Sequence, residues 1–326
     1  MIDEKGRNIN YMRVSLTDRC NLRCLYCMPE KGVENLGHYT ILSLEDMARL
    51  VKIASQLGIC KIRLTGGEPL VRKNICQLLS YIADIPEIDD IAITTNGTLF
   101  ADMADNLKNA GLKRVNFSLD SLVPEKFRYI TRRGDLSSVN RAIFKALELE
   151  MHPVKINTVI IKGFNDNEIL DFAGLAYNYP LHVRFIEFMP VGDLLFWKND
   201  RLMTTQDIKK KIQAHYSLLP EKKVEGNGPA RYFSLQGGKG TVGFISPMSN
   251  HFCNECNRIR LTSEGGLRGC LYDKQEVDLR EALKNGTSDE ELKKLFIKAI
   301  KAKPAQHSMN DGWGEENTRK MFQIGG

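Results

Sequence analysis

The sequence predicts an α/β protein: a partial, open (β/α)6 barrel of TIM type followed by a smaller α+β region. Three observations carry that prediction. Apolar, β-branched segments at 11–17, 59–65, 91–95, 115–119, 154–161 and 182–188 alternate with helical patterns. Strands separated by helices need crossover connections, and these build parallel sheets with right-handed βαβ units. The series then stops at six, where eight would close a barrel, and gives way to glycine-rich, hairpin-like sequence. The expected division is a barrel over 1–195 and a C-terminal region over 196–326.

The elements justify themselves in order. The helix expected at 43–57 sets Leu44, Met47, Leu50, Val51, Ala54 and Leu57 on one face, with Ser43 and Asp46 as a capping pair and Gly58 as its stop. A helix at 101–110 ends likewise at Gly111, and 138–150 and 165–177 read as further helices. Beyond the barrel come a helix at 205–215, turns at Gly226-Asn227-Gly228 and Gly237-Gly238, helices at 277–284 and 288–303, and a terminal Gly325-Gly326. Thr287-Ser288-Asp289-Glu290-Glu291 reads as a helix-capping device rather than an acid pair. The C-terminal region would be tied together partly by a metal site and would cover the open barrel.

Composition excludes several classes. There are 46 Lys and Arg against 40 Asp and Glu, a net charge of +6, which suits an anionic ligand without demanding nucleic acid. The polar start MIDEKGRNIN lacks a signal-peptide core, and no run approaches a membrane span. A cytoplasmic location follows as an expectation, one in which thiols serve as metal ligands rather than disulfides. Cys60 and Cys76 fall in apolar patterns and read as small core residues, and the six histidines show no metal-ligand spacing.

The remaining six cysteines form two trios, Cys20-x3-Cys24-x2-Cys27 and Cys253-x2-Cys256-x13-Cys270. A zinc site usually takes four Cys or His ligands. Three thiolates on a short loop suit a [4Fe–4S] cube, leaving one iron open to a small molecule. At the first trio, S-adenosylmethionine is a ligand able to accept an electron there; a zinc site or buried thiols is the plainer alternative. Tyr26, inside the loop, either packs on an adenine or fills core. Gly66-Gly67-Glu68-Pro69 allows close backbone approach to a ligand and presents N–H groups and a carboxylate. Arg258 and Arg260 stand two apart, so on a strand they share a face and can fork onto phosphate.

With CxxxCxxC and GGEP in place, the chain resembles the radical S-adenosylmethionine superfamily. Within it, Gly-Arg-x-Ile-Asn-Tyr-x-Arg, Thr-Thr-Asn-Gly, Asn-x-Ser-Leu-Asp, Val-Lys-Ile-Asn, Arg-Phe-Ile-Glu-Phe-Met and Cys-x2-Cys-x-Arg-x-Arg resemble the GTP 3′,8-cyclase family of molybdenum cofactor biosynthesis. That resemblance covers nearly the whole chain. It implies two [4Fe–4S] clusters, the first on Cys20, Cys24 and Cys27 and the second on Cys253, Cys256 and Cys270. It implies S-adenosylmethionine at Tyr26, Gly66, Gly67, Glu68, Ser118 and Met189, with the Gly66–Glu68 backbone on the methionine amino group. It also implies GTP at Arg13, Arg63, Thr94, Lys155, Arg258, Ile259 and Arg260. Asn157 and Arg184 would line the cavity. Arg258, Arg260 and the Gly325-Gly326 tail would serve catalysis, the tail threading into the barrel. A 5′-deoxyadenosyl radical would take the ribose 3′ hydrogen, and the ribose carbon would then attack C8 of guanine. Further implications are a flavodoxin or ferredoxin as reductant, passage of the product to cyclic pyranopterin monophosphate synthase, and a monomer or homodimer without nucleic-acid or membrane partners. A radical enzyme modifying RNA or peptide with an auxiliary cluster is the alternative; RNA calls for a more basic face, peptide for more C-terminal cysteines.

Overall fold

Strands β1 (Tyr11–Ser15), β2 (Lys61–Thr65), β3 (Asp90–Thr95), β4 (Arg114–Ser118), β5 (Val154–Ile160) and β6 (Leu181–Glu187) pair in sequence order, all parallel. Helices α1 (Leu44–Ser55), α2 (Ile75–Ala83), α3 (Phe100–Asn109), α4 (Pro124–Thr131), α5 (Leu136–Glu148) and α6 (Ile169–Asn178) fill the crossovers. These come from a computed structural model, which describes all residues except 34–39, 192–195, 197, 222–223, 227, 274, 308–318 and 326. Among the described residues no helix is long and apolar enough to cross a membrane.

Beyond β6 lie α7 (Thr205–Gln213), then β7 (Leu218–Glu221), β8 (Arg231–Leu235), β9 (Thr241–Ile245), β10 (Arg258–Leu261), β11 (Gly266–Arg268) and β12 (Val277–Asp278), and lastly α8 (Leu279–Lys284) and α9 (Asp289–Lys301). These strands extend the same sheet at both edges, in the order β12-β11-β10-β1-β2-β3-β4-β5-β6-β9-β8-β7. Because β10 joins β1 in parallel and β9 joins β6 in parallel, the six-strand series gains a parallel member on each side. Antiparallel flanks then end the sheet and leave the barrel open.

Strand periodicity divides the residues into two sets. Met12, Val14, Ile62, Leu64, Ile93, Val115, Phe117, Ile156, Val183, Phe185, Val242, Ile259 and Leu261 are buried in the main hydrophobic cluster. The residues between them face inward, and they are largely polar: Tyr11, Arg13, Arg63, Thr94, Ser118, Asn157, Arg184, Arg258 and Arg260 all line one cavity. An ordinary eight-stranded barrel fills that space with branched aliphatics; here it is left open to a charged ligand.

Several boundaries differ from expectation, each for a local reason. The helix expected from 165 begins at Ile169, because Asn165 donates to the carbonyls of Asp120 and Val159 and accepts from the Ile161 N–H. The helix expected from 277 begins at Leu279; Val277–Asp278 pairs with β11, and the Asp278 side chain caps the helix at Glu281 N. Helices α2 and α4 escaped explicit reading, being short and flanked by prolines and glycines. Ser43 accepts from Asp46 N at 3.0 Å, and Ser288 caps α9, as the sequence predicts.

Candidate active site

The two cysteine trios line a single cavity of about 340 Å³. Cys20, Cys24 and Cys27 lie on the loop after β1, at the C-terminal ends of the barrel strands. Cys253 and Cys256 precede β10, and Arg258 is in register with Tyr11, the first residue of β1. The trios therefore occupy opposite ends of the channel, separated by the length of β1, roughly 13 Å for four residue steps. The C-terminal region, expected to cover the open barrel, brings the second trio to the barrel's N-terminal end.

At the first trio, the cysteine loop is built onto the Gly-Gly-Glu-Pro turn. Gly67 N donates to Thr17 O at 2.7 Å and Glu68 N to Arg19 O at 2.8 Å. A Cβ on Gly66 would stand 2.5 Å from Thr17 O, and one on Gly67 would collide with Arg19 O. The close approach these glycines permit is thus to the base of the cysteine loop, which engages the Gly67 N–H, while both glycines also line the cavity. Glu68 lines the cavity as well, but its carboxylate is buried and accepts from Thr95 Oγ1, Asn96 N and Leu70 N rather than standing exposed. Burial pushes its pKa up to about 7, with those hydrogen bonds working against the rise.

Tyr26 is packed on one side and faces the cavity on the other. Its ring packs edge-on against Phe188 at 6.0 Å, it lines the cavity, and its hydroxyl donates to Asp120 Oδ2 at 2.6 Å. Asn96 Nδ2 reaches Cys20 Sγ at 3.8 Å, and burial raises Cys20 to about 11 and Cys27 to about 12. Three thiols gathered from one short loop onto one cavity wall fit a metal cluster that takes them as thiolates.

The second trio has different electrostatics. Burial opposes ionisation of Cys256, but Arg258 and Lys303 outweigh it and bring its thiol down to about 6. Arg258 Nη2 lies 3.6 Å and Lys303 Nζ 3.4 Å from Cys256 Sγ. Lys303 also donates to the Arg258 carbonyl at 3.0 Å, tying helix α9 to β10. The loop is held from behind by Arg7, which pairs with buried Asp3 and donates to Cys253 O at 3.0 Å. Glu187, fully buried at the end of β6, accepts from Met248 N and Ser249 N and fixes the approach to Cys253.

Between the trios runs a belt of cations. Arg63 Nη1 reaches Thr94 Oγ1 at 3.5 Å, and its guanidinium stands 5.5 Å over the Tyr11 ring. Arg184 donates to Asn116 Oδ1 at 2.6 Å. Among the described residues, the Nε atoms of Arg63 and Arg184, and Nη1 of Arg114, which pairs with Asp90 through its other nitrogens, are buried without a hydrogen-bond partner, which is costly unless an anion completes them. Lys155 does not line the cavity directly: its ammonium donates to the Glu225 carbonyl on the β7–β8 connection. Burial, reinforced by Arg184, Arg114 and Arg63, lowers its pKa to about 6.

Other expected residues separate clearly. Ser118 and Met189 line the cavity, as do Arg13 and Thr94. Ile259 does not; its side chain is fully buried in the apolar layer, so only its backbone can meet a ligand. Arg260 Nη1 donates to the carbonyls of Ile324, at 3.2 Å, and Gly325. Gly325 lies against Thr65 and Ser15, while Phe322 and Met321 line the cavity. Gly326 falls outside the described residues. Sequence reasoning missed Lys303, Arg114 and Glu187. Glu187 and Arg7 lay inside quoted motifs, but a lone lysine ending a helix carries no signal of its own.

Comparison with known proteins agrees with this architecture. Residues 14–176 match the Radical SAM superfamily, and 181–309 match Molybdenum Cofactor Synthesis C. Over its full length, and theirs, the chain is 76% identical to the GTP 3′,8-cyclase of Syntrophomonas wolfei, 56% to that of Desulforamulus reducens and 51% to that of Moorella thermoacetica. Among solved structures, Streptococcus suis SuiB is similar at a TM-score of 0.57 and 14% identity, over 84% of this chain and 64% of that one, under two thirds of its length. That likeness speaks for the fold alone.

Proposed function

Because this chain belongs to the GTP 3′,8-cyclase family of radical S-adenosylmethionine enzymes, we propose that it converts GTP to (8S)-3′,8-cyclo-7,8-dihydroguanosine 5′-triphosphate, the first step of molybdenum cofactor biosynthesis. The observation that carries this reading is one cavity with a cysteine trio at each end and a cationic belt between them. Cys20, Cys24 and Cys27 would hold a [4Fe–4S] cluster, and Cys253, Cys256 and Cys270 a second. When bound, the first supplies the one-electron reduction of S-adenosylmethionine that generates a hydrogen-abstracting radical.

The chain's own residues then decide where that reactivity goes. Tyr26, the Gly66–Glu68 backbone, Ser118 and Met189 position S-adenosylmethionine at the C-terminal mouth. Arg13, Arg63, Thr94, Lys155 and Arg258 hold GTP along the channel, with Arg184 and Asn157 beside them. The backbone at Ile259 adds a contact its side chain cannot. Cys253, Cys256 and Cys270 would hold a cluster able to take the guanine edge, which would leave the ribose between the two ends of the channel. Positioning is the main catalytic contribution, since a primary carbon radical does not discriminate among C–H bonds. Arg260 acts by holding the tail at Ile324 and Gly325 against the substrate. A flavodoxin or ferredoxin donates electrons in the cytoplasm, and cyclic pyranopterin monophosphate synthase takes the product.

The test is an anaerobic assay of reconstituted protein with S-adenosylmethionine and dithionite, offered GTP, RNA or peptide. Cyclised nucleotide from GTP alone supports the reading. Modification of RNA or peptide, with GTP untouched, overturns it.

A further inference from the structure

The described residues at the end of the chain, 319–325, run from outside the cavity to its interior. At the inner end the Ile324 and Gly325 carbonyls accept from Arg260, and Gly325 lies against Thr65 and Ser15. Midway, the Phe322 backbone N–H meets the Cys27 sulfur, and Met321 and Ile324 pack with Met189, Val191 and Tyr272. Arg319 stands at the outer end, beyond the cavity lining, and its guanidinium spans two carboxylates. Nε and Nη2 fork onto Glu276, both at 3.1 Å, while Nη1 donates to Glu264 Oε2. We propose that Arg319 is a positioning residue for cyclisation: its clasp on Glu264 and Glu276 sets the glycine tail at its working depth in the channel. Because Arg319 acts through the tail, the proposal rests on the reading that the tail works there.

An isolated ion pair on a protein surface contributes little. Three features set this one apart. Its geometry is a planar fork on one carboxylate with a third arm on another, which lysine cannot reproduce. Its burial is substantial: the side chains of Arg319, Glu264 and Glu276 keep only 24%, 23% and 19% of their exposure, so solvent and salt screen them less than a free pair. Its mounting is rigid, because Glu276 is also held by Arg268 Nη1 at 2.5 Å. Arg268 is 1% exposed, lies on β11 and is in register with Arg260 on β10. A Cβ on Gly266 would collide with Glu276 Oε2, so that strand leaves the carboxylate its place. One antiparallel strand pair thus grips the tail twice, directly through Arg260 and through Glu276 by way of Arg268.

The tail needs both grips. Its own structure is a single turn of 3-10 helix, Met321–Gln323, closed by Gln323 N on Lys320 O and Ile324 N on Met321 O. Chain ends fray unless they are tied down. With Arg319 fixed outside and the Gly325 carbonyl fixed inside, the intervening residues can neither slide deeper nor withdraw.

The test uses the full-length protein, reconstituted anaerobically, with two readouts. Amide hydrogen exchange by mass spectrometry, without substrate, reports docking of residues 321–325. The ratio of cyclised nucleotide to 5′-deoxyadenosine, with GTP, reports its use. Arg319→Ala should speed exchange of the tail and lower the ratio about tenfold each, equivalent to about 1.4 kcal/mol of docking, with β10 and β11 as protected as in the parent. Arg319→Lys, which keeps the charge without the fork, should fall between. Lys320→Ala removes the same charge from an exposed neighbour and should change neither readout. Glu264→Gln should act in the direction of Arg319→Ala and add nothing to it, since both remove one contact. Parent-like exchange and ratio in Arg319→Ala overturn the clasp, and a ratio that still collapses in Gly325→Ala leaves the reading of the tail intact. A freed tail with a parent-like ratio overturns both. Faster exchange in β10 and β11 along with the tail makes Arg319 a brace of the fold and overturns the proposal as well.

Discussion

Replacing Gly325 by alanine tests the tail in the barrel. Gly325 has φ +70°, in the left-handed region, and an added Cβ would collide with Thr65 Oγ1, an atom on a short, buried side chain. Left-handed backbone costs a residue with a Cβ roughly 1–2 kcal/mol, before the collision is counted. If the tail relieves both by withdrawing, it gives up the Arg260 hydrogen bonds to the carbonyls of Ile324 and Gly325. Charge-assisted bonds of this kind contribute about 1.5–3 kcal/mol each. Either route removes at least about 2 kcal/mol from the docked tail, which corresponds to about a 30-fold loss of cyclisation. The tail meets the first trio at Cys27 through the Phe322 backbone, three residues before the change, and all three thiols are kept, so 5′-deoxyadenosine should still form. Anaerobic turnover of Gly325→Ala, read as cyclised product against 5′-deoxyadenosine, should therefore show the ratio collapsing. A ratio within twofold of the parent, with Arg260 intact, would refute the reasoning that the tail works inside the channel.

Three further outcomes follow from the same geometry. Lys155 is lowered to about 6 by burial first and then by Arg184, Arg114 and Arg63, so at pH 8 it is neutral until the triphosphate restores its charge. GTP binding should then take up about one proton, and GTP affinity should fall as pH rises from 6 towards 10; calorimetry in buffers of different ionisation enthalpy should detect the uptake in the parent and not in Lys155→Met. Arg258→Ala should weaken GTP binding by about 1.5–3 kcal/mol, with only partial rescue by lysine, as measured by anaerobic equilibrium binding. Cys24→Ala should abolish reductive cleavage of S-adenosylmethionine, whereas Cys256→Ala should keep some cleavage and lose the cyclised product; equal loss in both would contradict a division of labour between the trios.

Much of the fold was legible because the barrel strands announce themselves. β-Branched runs separated by helical periodicity specify parallel pairing, and glycine and Asp/Ser caps mark the breaks. The two trios were legible from spacing, since cysteines at x3-x2 have few structural uses. What escaped is non-local. That β10 pairs with β1, and so carries Cys253 and Cys256 to the opposite end of the channel from Cys20, is written in no short window. Spacing put Arg258 and Arg260 on one strand face, and the resemblance named Arg13 and Arg63, but it is strand register that brings Arg13, Arg63 and Arg260 side by side. At Ile259, between two inward arginines, period-two geometry turns the side chain outward and leaves the backbone for the channel. Lys303 reaches Cys256 across 47 residues. His251 and His307 meet across 56, so neither could be told from a surface residue until the chain closed on itself.

The central claim is that the channel holds the GTP ribose between the two trios, with its 3′ carbon facing the S-adenosylmethionine end. GTP deuterated at the ribose 3′ position tests this directly, by mass spectrometry of the 5′-deoxyadenosine formed in a single anaerobic turnover. The account predicts that one deuterium appears in that 5′-deoxyadenosine, and that none appears when the label is placed at the ribose 2′ or 4′ position instead. Unlabelled 5′-deoxyadenosine from 3′-deuterated GTP, formed in step with cyclised product, would contradict it.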